Sequence, residues 1–140
     1  MSQNKPIILL DPYPRTMDLL FSKENLKYLK NNFKLITAPN KNKNNFYEKN
    51  LPKADYIFGQ PNLPSSLISK STKLKAIFNV ESNFMDNMDY DYCFRKGIHV
   101  LATSPVFAQP VAEMAMGLTL SIARSIHIAH SDFISKKEKY

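Results

Sequence analysis

The chain has 140 residues, which is enough for one domain with a real core and too few for two ordinary domains. Hydrophobic residues make up 44% and charged residues 22%, close to the averages of globular proteins, so extensive disorder is excluded. The net charge is +7, and the single cysteine, Cys93, excludes an internal disulfide framework and a cysteine-rich zinc module.

The first part of the chain alternates strand and helix patterns. The apolar run at residues 6–11 predicts a buried parallel strand. Ser22 is a candidate N-cap for a helix over residues 23–33. The apolar stripe of that helix is Leu26, Tyr28, Leu29 and Phe33. Residues 34–38 predict a second strand, and the Lys/Asn-rich segment 40–45 predicts an exposed loop.

The middle of the chain continues this alternation. Residues 56–59 predict a third strand, residues 65–70 a short helix and residues 74–80 a fourth strand. A helix over residues 89–96 has Asp89 as its N-cap and Gly97 just past its end, and residues 98–102 then predict a fifth strand. The fold class expected is α/β, a flavodoxin-like open parallel sheet of about five strands with flanking helices and a long C-terminal crossover helix.

The last helix is predicted to run from about Pro110, near its first turn, to about His130. Glu113 would then lie at the positive end of the helix dipole, in a structural role. Apolar residues surround the whole cylinder, so another domain or chain must cover its outer side. The apolar run 111–123 is interrupted by Glu113 and is shorter than the ~20 residues that span a bilayer. No secretory signal is visible, and a cytoplasmic location is expected.

The basic charge does not by itself indicate a nucleic-acid partner. Arginine, the side chain that best reads base edges and phosphates, occurs only at three positions, and the lysines are scattered and often beside asparagine. A solvated basic surface is therefore favoured over a nucleic-acid site. The glycines, Gly59, Gly97 and Gly117, lie too far apart for a dinucleotide-binding or phosphate-binding glycine loop.

Several short motifs occur in a fixed order in the second half of the chain. Leu-Lys-Ala-Ile-Phe-Asn-Val-Glu-Ser-Asn at 74–83 is followed by Asp-Asn-Met-Asp at 86–89 and by Arg-Lys-Gly-Ile-His-Val at 95–100. Ser104-Pro105 and Pro-Val-Ala-Glu at 110–113 complete the set. In this order and spacing the motifs resemble the D-isomer-specific 2-hydroxyacid dehydrogenase family.

The resemblance implies a division of the chain. Residues 1–105 would be the substrate-binding flavodoxin-like domain, and residues 106–140 an interdomain and dimerisation helix leading to a Rossmann domain that the 140 residues do not include. In the family that domain binds NAD or NADP, and the catalytic Arg, Glu and His lie beyond the Val-Ala-Glu helix. The resemblance therefore implies no catalytic and no cofactor-binding residue here, an isolated chain without activity, no NAD or NADP bound to it alone, and a homodimer formed through the 110–130 helix.

The resemblance also implies a substrate loop for a small 2-hydroxy or 2-oxo acid. The matching residues are Val80, Glu81, Ser82 and Asn83, which replace the usual glycine-rich stretch and add a negative charge. Arg15 follows the first strand, and ligands of open α/β sheets bind beyond the carboxyl ends of strands, so Arg15 is a further candidate for binding the acid. The alternative is a surface arginine beside a proline-stiffened turn.

Other candidates have simpler explanations. His127 and His130 have the i, i+3 spacing of a metal pair with Asp132 nearby, but no third ligand is evident, so no metal site is predicted. His99 lies in a strand pattern and is expected to be structural, and Cys93 is expected to be a small core residue. For the whole chain, the alternative to part of an oxidoreductase is a non-enzymatic binding or dimerisation module that kept the fold.

Overall fold

Five short parallel strands form one sheet in the computed structural model, which describes residues 5–81 and 83–137. The strands are β1 (Ile7–Asp11), β2 (Lys34–Thr37), β3 (Tyr56–Gly59), β4 (Ala76–Phe78) and β5 (His99–Leu101). Their order across the sheet is β2-β1-β3-β4-β5, the flavodoxin-like order, and every neighbouring pair is parallel. The predicted fold class is confirmed.

The helices of the first part are short. They are α1 (Met17–Leu20), α2 (Lys23–Asn32), α3 (Lys43–Asn50) with a 3₁₀ turn at Leu51–Lys53, α4 (Ser65–Ile68) and α5 (Tyr90–Arg95). Side chains alternate across the strands, so Leu9, Ile57 and Ile77 share one face of the sheet. They belong to the buried core together with residues of α3, α4 and α5, among them Tyr47, Ile68 and Cys93.

Three predicted helix termini are confirmed, two at helix starts and one at a helix end. The Ser22 hydroxyl accepts a hydrogen bond from the Asn25 N–H at 3.2 Å, and Asp89 Oδ1 accepts one from the Tyr92 N–H at 2.8 Å. Gly97 has φ +71° at the end of α5, the left-handed conformation expected there. The predicted apolar stripe of α2 was wrong at Tyr28, because this side chain is exposed rather than packed.

The exposed loop predicted at residues 40–45 is confirmed only for residues 40–42. α3 begins at Lys43, directly after Asn42 in the left-handed conformation. Tyr47 is buried in the core, and the ammonium group of Lys43 forms an ion pair with Asp11 on β1. These tertiary contacts stabilise a helix that its Lys/Asn-rich start does not reveal.

The chain divides into two compact units before Ser104. The second contains α6 (Ser104–Ala123) and α7 (Ile126–Ile134), separated at Ser125, which has φ +50°. The predicted start was wrong: α6 begins at Ser104-Pro105, where a proline removes no helical hydrogen bond, and Pro110 lies inside the helix. Glu113 is thus not in the first turn, and it accepts a hydrogen bond from Gln109 Nε2 at 2.8 Å.

No residue of α6 is buried within this chain, although the helix is largely apolar. With 20 residues the helix extends beyond the apolar run 111–123, and by length and composition alone it is long and apolar enough to cross a membrane. One such helix is weak evidence for a membrane, because core helices of soluble proteins pass the same test.

Candidate functional site at the carboxyl edge of the sheet

The strand order reverses direction between β1 and β3. In an open parallel sheet, ligands bind beyond the carboxyl ends of the strands at such a point. Asp11 and Gly59 end these two strands and are register partners. We call the region lined by residues 11–15, 59–60, 79–81 and 83 the edge crevice.

Gly59 allows β1 and β3 to approach closely at the edge crevice. It has φ +151°, and a Cβ atom at this position would lie 2.2 Å from the carbonyl oxygen of Asp11. Real Cβ atoms essentially never come closer than 3.0 Å, so this close approach requires glycine.

The buried side of the edge crevice contains the carboxylate of Asp11, and both of its oxygens are paired. Asp11 is only 4% exposed, and its Oδ1 lies 2.6 Å from Lys43 Nζ. Its Oδ2 accepts a hydrogen bond from the Tyr47 hydroxyl at 3.0 Å. Burial, aided by the negative charge of Asp11, raises the pKa of Tyr47 far above its usual value, so the phenol remains a donor. This cluster fixes α3 against β1.

The outer side of the edge crevice carries an ion pair between two predicted site residues. Arg15 Nε donates to Glu81 Oε1 at 3.0 Å, and Arg15 Nη2 donates to Glu81 Oε2 at 3.4 Å. The hydrogen bonds to Glu81, and then its charge, raise the pKa of Arg15. Glu81 occupies the Nε–Nη2 side of the guanidinium fork and leaves its Nη1–Nη2 end unused by this pair. The structure therefore brings together the loops that follow β1 and β4.

Gln60 holds the loop after β4 and was not predicted from the sequence. Its Oε1 accepts a hydrogen bond from the Glu81 N–H at 2.9 Å, and its Nε2 donates to the Asn83 carbonyl at 3.1 Å. The Glu81 N–H is consequently already paired. Val80 is buried rather than exposed to a ligand, and Ser82 lies outside the described residues.

Asn79 is a second residue that the sequence analysis missed. It directly follows β4, is 2% exposed, and its backbone N–H donates to the Leu101 carbonyl at 2.8 Å. Neither polar atom of its side chain makes a hydrogen bond within the described part of the chain. The only sequence signal was its place at the end of a strand, which Asp11 and Gln60 share.

The remaining candidates lie elsewhere. Cys93 is a fully buried core residue as predicted, and burial raises the pKa of its thiol. His127 and His130 lie on α7, and within residues 5–81 and 83–137 no three His, Cys, Asp or Glu side chains group as metal ligands. An apolar cavity of about 370 Å³ lies on the sheet face opposite to the buried core. Its lining consists of aliphatic and aromatic side chains that include Phe21, Phe58 and Phe78.

The described residues do not fit a dinucleotide. Such a cofactor needs a glycine-rich turn that leads from β1 into a helix whose N–H groups face the pyrophosphate. Here β1 is followed by Pro12-Tyr13-Pro14-Arg15 and by α1, which has four residues and no side-chain cap. Gly59 does not form such a turn, because it is the glycine that allows β1 and β3 to approach closely.

Comparisons with known proteins agree with this fold. The family model for the catalytic domain of D-isomer-specific 2-hydroxyacid dehydrogenases matches residues 15–137. A phosphoglycerate oxidoreductase from Rhizobium etli is 38% identical with a TM-score of 0.83, over 97% of this chain and 43% of its own. Among the curated proteins, none matches this chain.

Two more distant structures share the fold and contain ligands. D-lactate dehydrogenase from Aquifex aeolicus, complexed with NAD and lactic acid, is 24% identical with a TM-score of 0.57, over 96% of this chain and 38% of its own. An NADPH-dependent glyoxylate/hydroxypyruvate reductase from Sinorhizobium meliloti, complexed with NADP and malonate, is 20% identical with a TM-score of 0.61, over 95% and 39%.

This chain thus spans about two fifths of the length of the structures it matches. The family match covers most of its residues, and the identity to the Rhizobium etli structure extends over nearly all of them. The chain belongs to the D-isomer-specific 2-hydroxyacid dehydrogenase family.

Proposed function

We propose that this chain is the substrate-domain portion of an NAD(P)-dependent oxidoreductase that acts on the CH–OH group of a D-2-hydroxy acid. The edge crevice would receive the acid, with Arg15 as the group that binds its carboxylate. The observation that supports this most directly is the position of Arg15. Its side chain is 52% exposed at the point where the strand order reverses, and Glu81 leaves the end of its fork unused.

The chemistry of the edge crevice matches a small acid. A guanidinium binds a carboxylate through two parallel N–H···O bonds, which fixes orientation as well as position. Gln60 hydrogen-bonds the backbone at residues 81 and 83, so these two positions are held before the acid arrives. The family ligands point the same way, since one distant relative is complexed with lactic acid and another with malonate.

The part of the reaction assigned to this chain is binding and orientation of the acid. By its resemblance to the family, we expect the NAD(P) site and the catalytic Arg, Glu and His to lie in a region with no counterpart among these residues. We therefore propose that the 140-residue chain alone neither catalyses the reaction nor binds NADH. Calorimetry showing saturable micromolar NADH binding would contradict this assignment.

The binding proposal is tested by titrating the chain with glyoxylate and following amide chemical shifts. Shifts are expected at Tyr13 and Arg15 together with residues 80–83, and Arg15→Ala should abolish most of the apparent affinity. Arg95→Ala is the matched control, because Arg95 is an exposed arginine on α5, away from the edge crevice. Unchanged shifts and affinity in Arg15→Ala would show that Arg15 is only a surface residue.

We also propose that the chain forms a homodimer through α6 and acts in the cytoplasm. Met114, Met116, Leu118 and Leu120 are between 53% and 64% exposed, which leaves an apolar helix surface that pairing would cover. Sedimentation at several concentrations tests this, and a monomer up to high micromolar concentration with α6 ordered would contradict it.

The second candidate is a non-enzymatic binding or dimerisation module with this fold. The exposed apolar surface of α6 and the apolar cavity beneath α2 favour it, because neither feature needs an acid substrate. A stable dimer that shows no shift of the edge-crevice residues with any hydroxy or oxo acid would support this candidate over the first.

A further inference from the structure

We propose that Glu81 is an internal competitor of the acid in the edge crevice. The Glu81 carboxylate occupies Arg15 while the edge crevice is empty, and the carboxylate of the incoming acid displaces it. This inference rests on the proposed function, because it assumes that an acid binds to Arg15. Its consequence is that Glu81 lowers the affinity of the edge crevice for every carboxylate ligand.

The ion pair already balances the charge of the guanidinium. Arg15 Nε lies 3.0 Å from Glu81 Oε1, and Arg15 Nη2 lies 3.4 Å from Glu81 Oε2. An acid that binds at the Nη1–Nη2 end shares Nη2 with Glu81 and brings a second negative charge to a group that carries one positive charge. The two carboxylates repel each other, so the acid and Glu81 compete for Arg15.

Glu81 can leave Arg15 by rotation of its side chain alone. Gln60 Oε1 accepts a hydrogen bond from the Glu81 N–H at 2.9 Å, and Gln60 Nε2 donates to the Asn83 carbonyl at 3.1 Å. The backbone at residues 81 and 83 is therefore held by Gln60 and does not depend on the ion pair. The side chains of Arg15 and Glu81 are both partly exposed, so water solvates the released carboxylate, and an exposed ion pair contributes little to stability.

The second carboxylate of the edge crevice cannot take this role. Asp11 is 4% exposed, and its Oδ1 lies 2.6 Å from Lys43 Nζ. Its charge is balanced inside the fold, and breaking that pair would leave a buried charge unpaired. Glu81 is partly exposed and has Arg15 as its cation. Among the described residues that line the edge crevice, Glu81 is thus the carboxylate that an acid meets at Arg15.

The test compares the binding of glyoxylate to the 140-residue chain and to its variant Glu81→Gln. Glutamine removes the charge but keeps an oxygen that accepts from Arg15 Nε. Dissociation constants are measured from the amide chemical shifts of Tyr13 and Arg15, and the same spectra show that the variant is folded. Glu81→Gln is expected to bind glyoxylate about two- to fivefold more tightly, as the loss of a competing exposed ion pair predicts.

A second measurement follows the Glu81 carboxylate itself. During the titration of the parent chain, the carbon-13 signal of this carboxyl group is expected to move towards the position that it has in Arg15→Ala, where the pair is absent. The matched control is Glu48→Gln, which removes the same charge from an exposed ion pair with Lys70, at 2.9 Å on α3. Glu48→Gln should leave the affinity for glyoxylate unchanged.

The outcomes separate this inference from the proposed function. Three results would overturn the competition while leaving acid binding intact: unchanged or weaker binding of glyoxylate by Glu81→Gln, an equal gain in Glu48→Gln, or a Glu81 carboxyl signal that does not move towards its Arg15→Ala position while the amide shifts saturate. If glyoxylate shifts neither Tyr13 nor Arg15 in the parent chain and in Glu81→Gln, the proposed function fails and this inference fails with it.

Discussion

The close contact between Gly59 and Asp11 can be tested with the substitution Gly59→Ala, which adds one methyl group. In Gly59→Ala the new Cβ would lie 2.2 Å from the Asp11 carbonyl oxygen, and ordinary contact begins at 3.4 Å, so the strand ends must separate by about 1.2 Å. Hydrogen bonds near 2.9 Å would then lengthen to about 4 Å and be lost. Two lost bonds at about 1 kcal/mol each, plus 1–2 kcal/mol for an L-residue at φ +151°, give roughly 3–4 kcal/mol.

Gly97→Ala is the matched control for this prediction. Gly97 also has positive φ, +71°, but an added Cβ would meet nothing within 4 Å. Only the backbone cost of about 1–2 kcal/mol should remain. Urea denaturation followed by circular dichroism would give both free energies of unfolding. If Gly59→Ala costs no more than Gly97→Ala, β1 and β3 do not approach as closely as the structure indicates.

Two further predictions concern buried side chains. Asn79→Leu should raise the free energy of unfolding by about 1–3 kcal/mol, because it removes a buried amide that has no hydrogen bond within the described residues. If urea denaturation instead showed a decrease of similar size in the free energy of unfolding, the Asn79 amide would have to be paired. Burial, and then the charge of Asp89, raise the pKa of Cys93, and the thiolate is the reactive form. Iodoacetamide should therefore modify the folded chain more slowly than the urea-unfolded chain, with a pH profile displaced upwards, and equal rates and profiles would contradict the burial of this thiol.

The fold could be predicted because its signals are local. Short apolar runs bounded by polar turns mark the strands, and Ser22 and Asp89 mark helix starts through bonds to residues three positions away. The strand ladders are shorter than predicted at β4 and β5. Leu74 and Val80 are buried without belonging to β4, so apolar character identified burial rather than strand pairing.

The errors lie where distant contacts or competing local signals decide the structure. The first turn of α3 was predicted as part of a loop because its residues are polar, whereas Lys43 pairs with Asp11, 32 positions earlier. The start of α6 was placed at Pro110 although Ser104-Pro105 offers the same first-turn chemistry six positions earlier. Sequence spacing could not choose between these two prolines.

The candidate site shows the same division between local and distant information. Arg15 and Glu81 were each identified from their place after a strand, but they are 66 positions apart and nothing local predicts that they pair. Gln60 and Asn79 also follow strands, yet their amides carry no charge that would have drawn attention to them. Residue type and position therefore predicted which loops border the edge crevice, but not how its charges are combined.

The two carboxylates of the edge crevice have opposite consequences for a ligand. Asp11 is buried and holds both Lys43 and Tyr47, so breaking its ion pair with Lys43 would leave a buried charge unpaired, at a cost of several kcal/mol. Glu81 and Arg15 are partly exposed, and water can replace either partner at little cost. An acid bound as proposed would therefore rearrange the outer pair and not the inner cluster. In the proposed function, Arg15 would then be the group that meets the acid, while Asp11, Lys43 and Tyr47 keep the wall of the edge crevice in place.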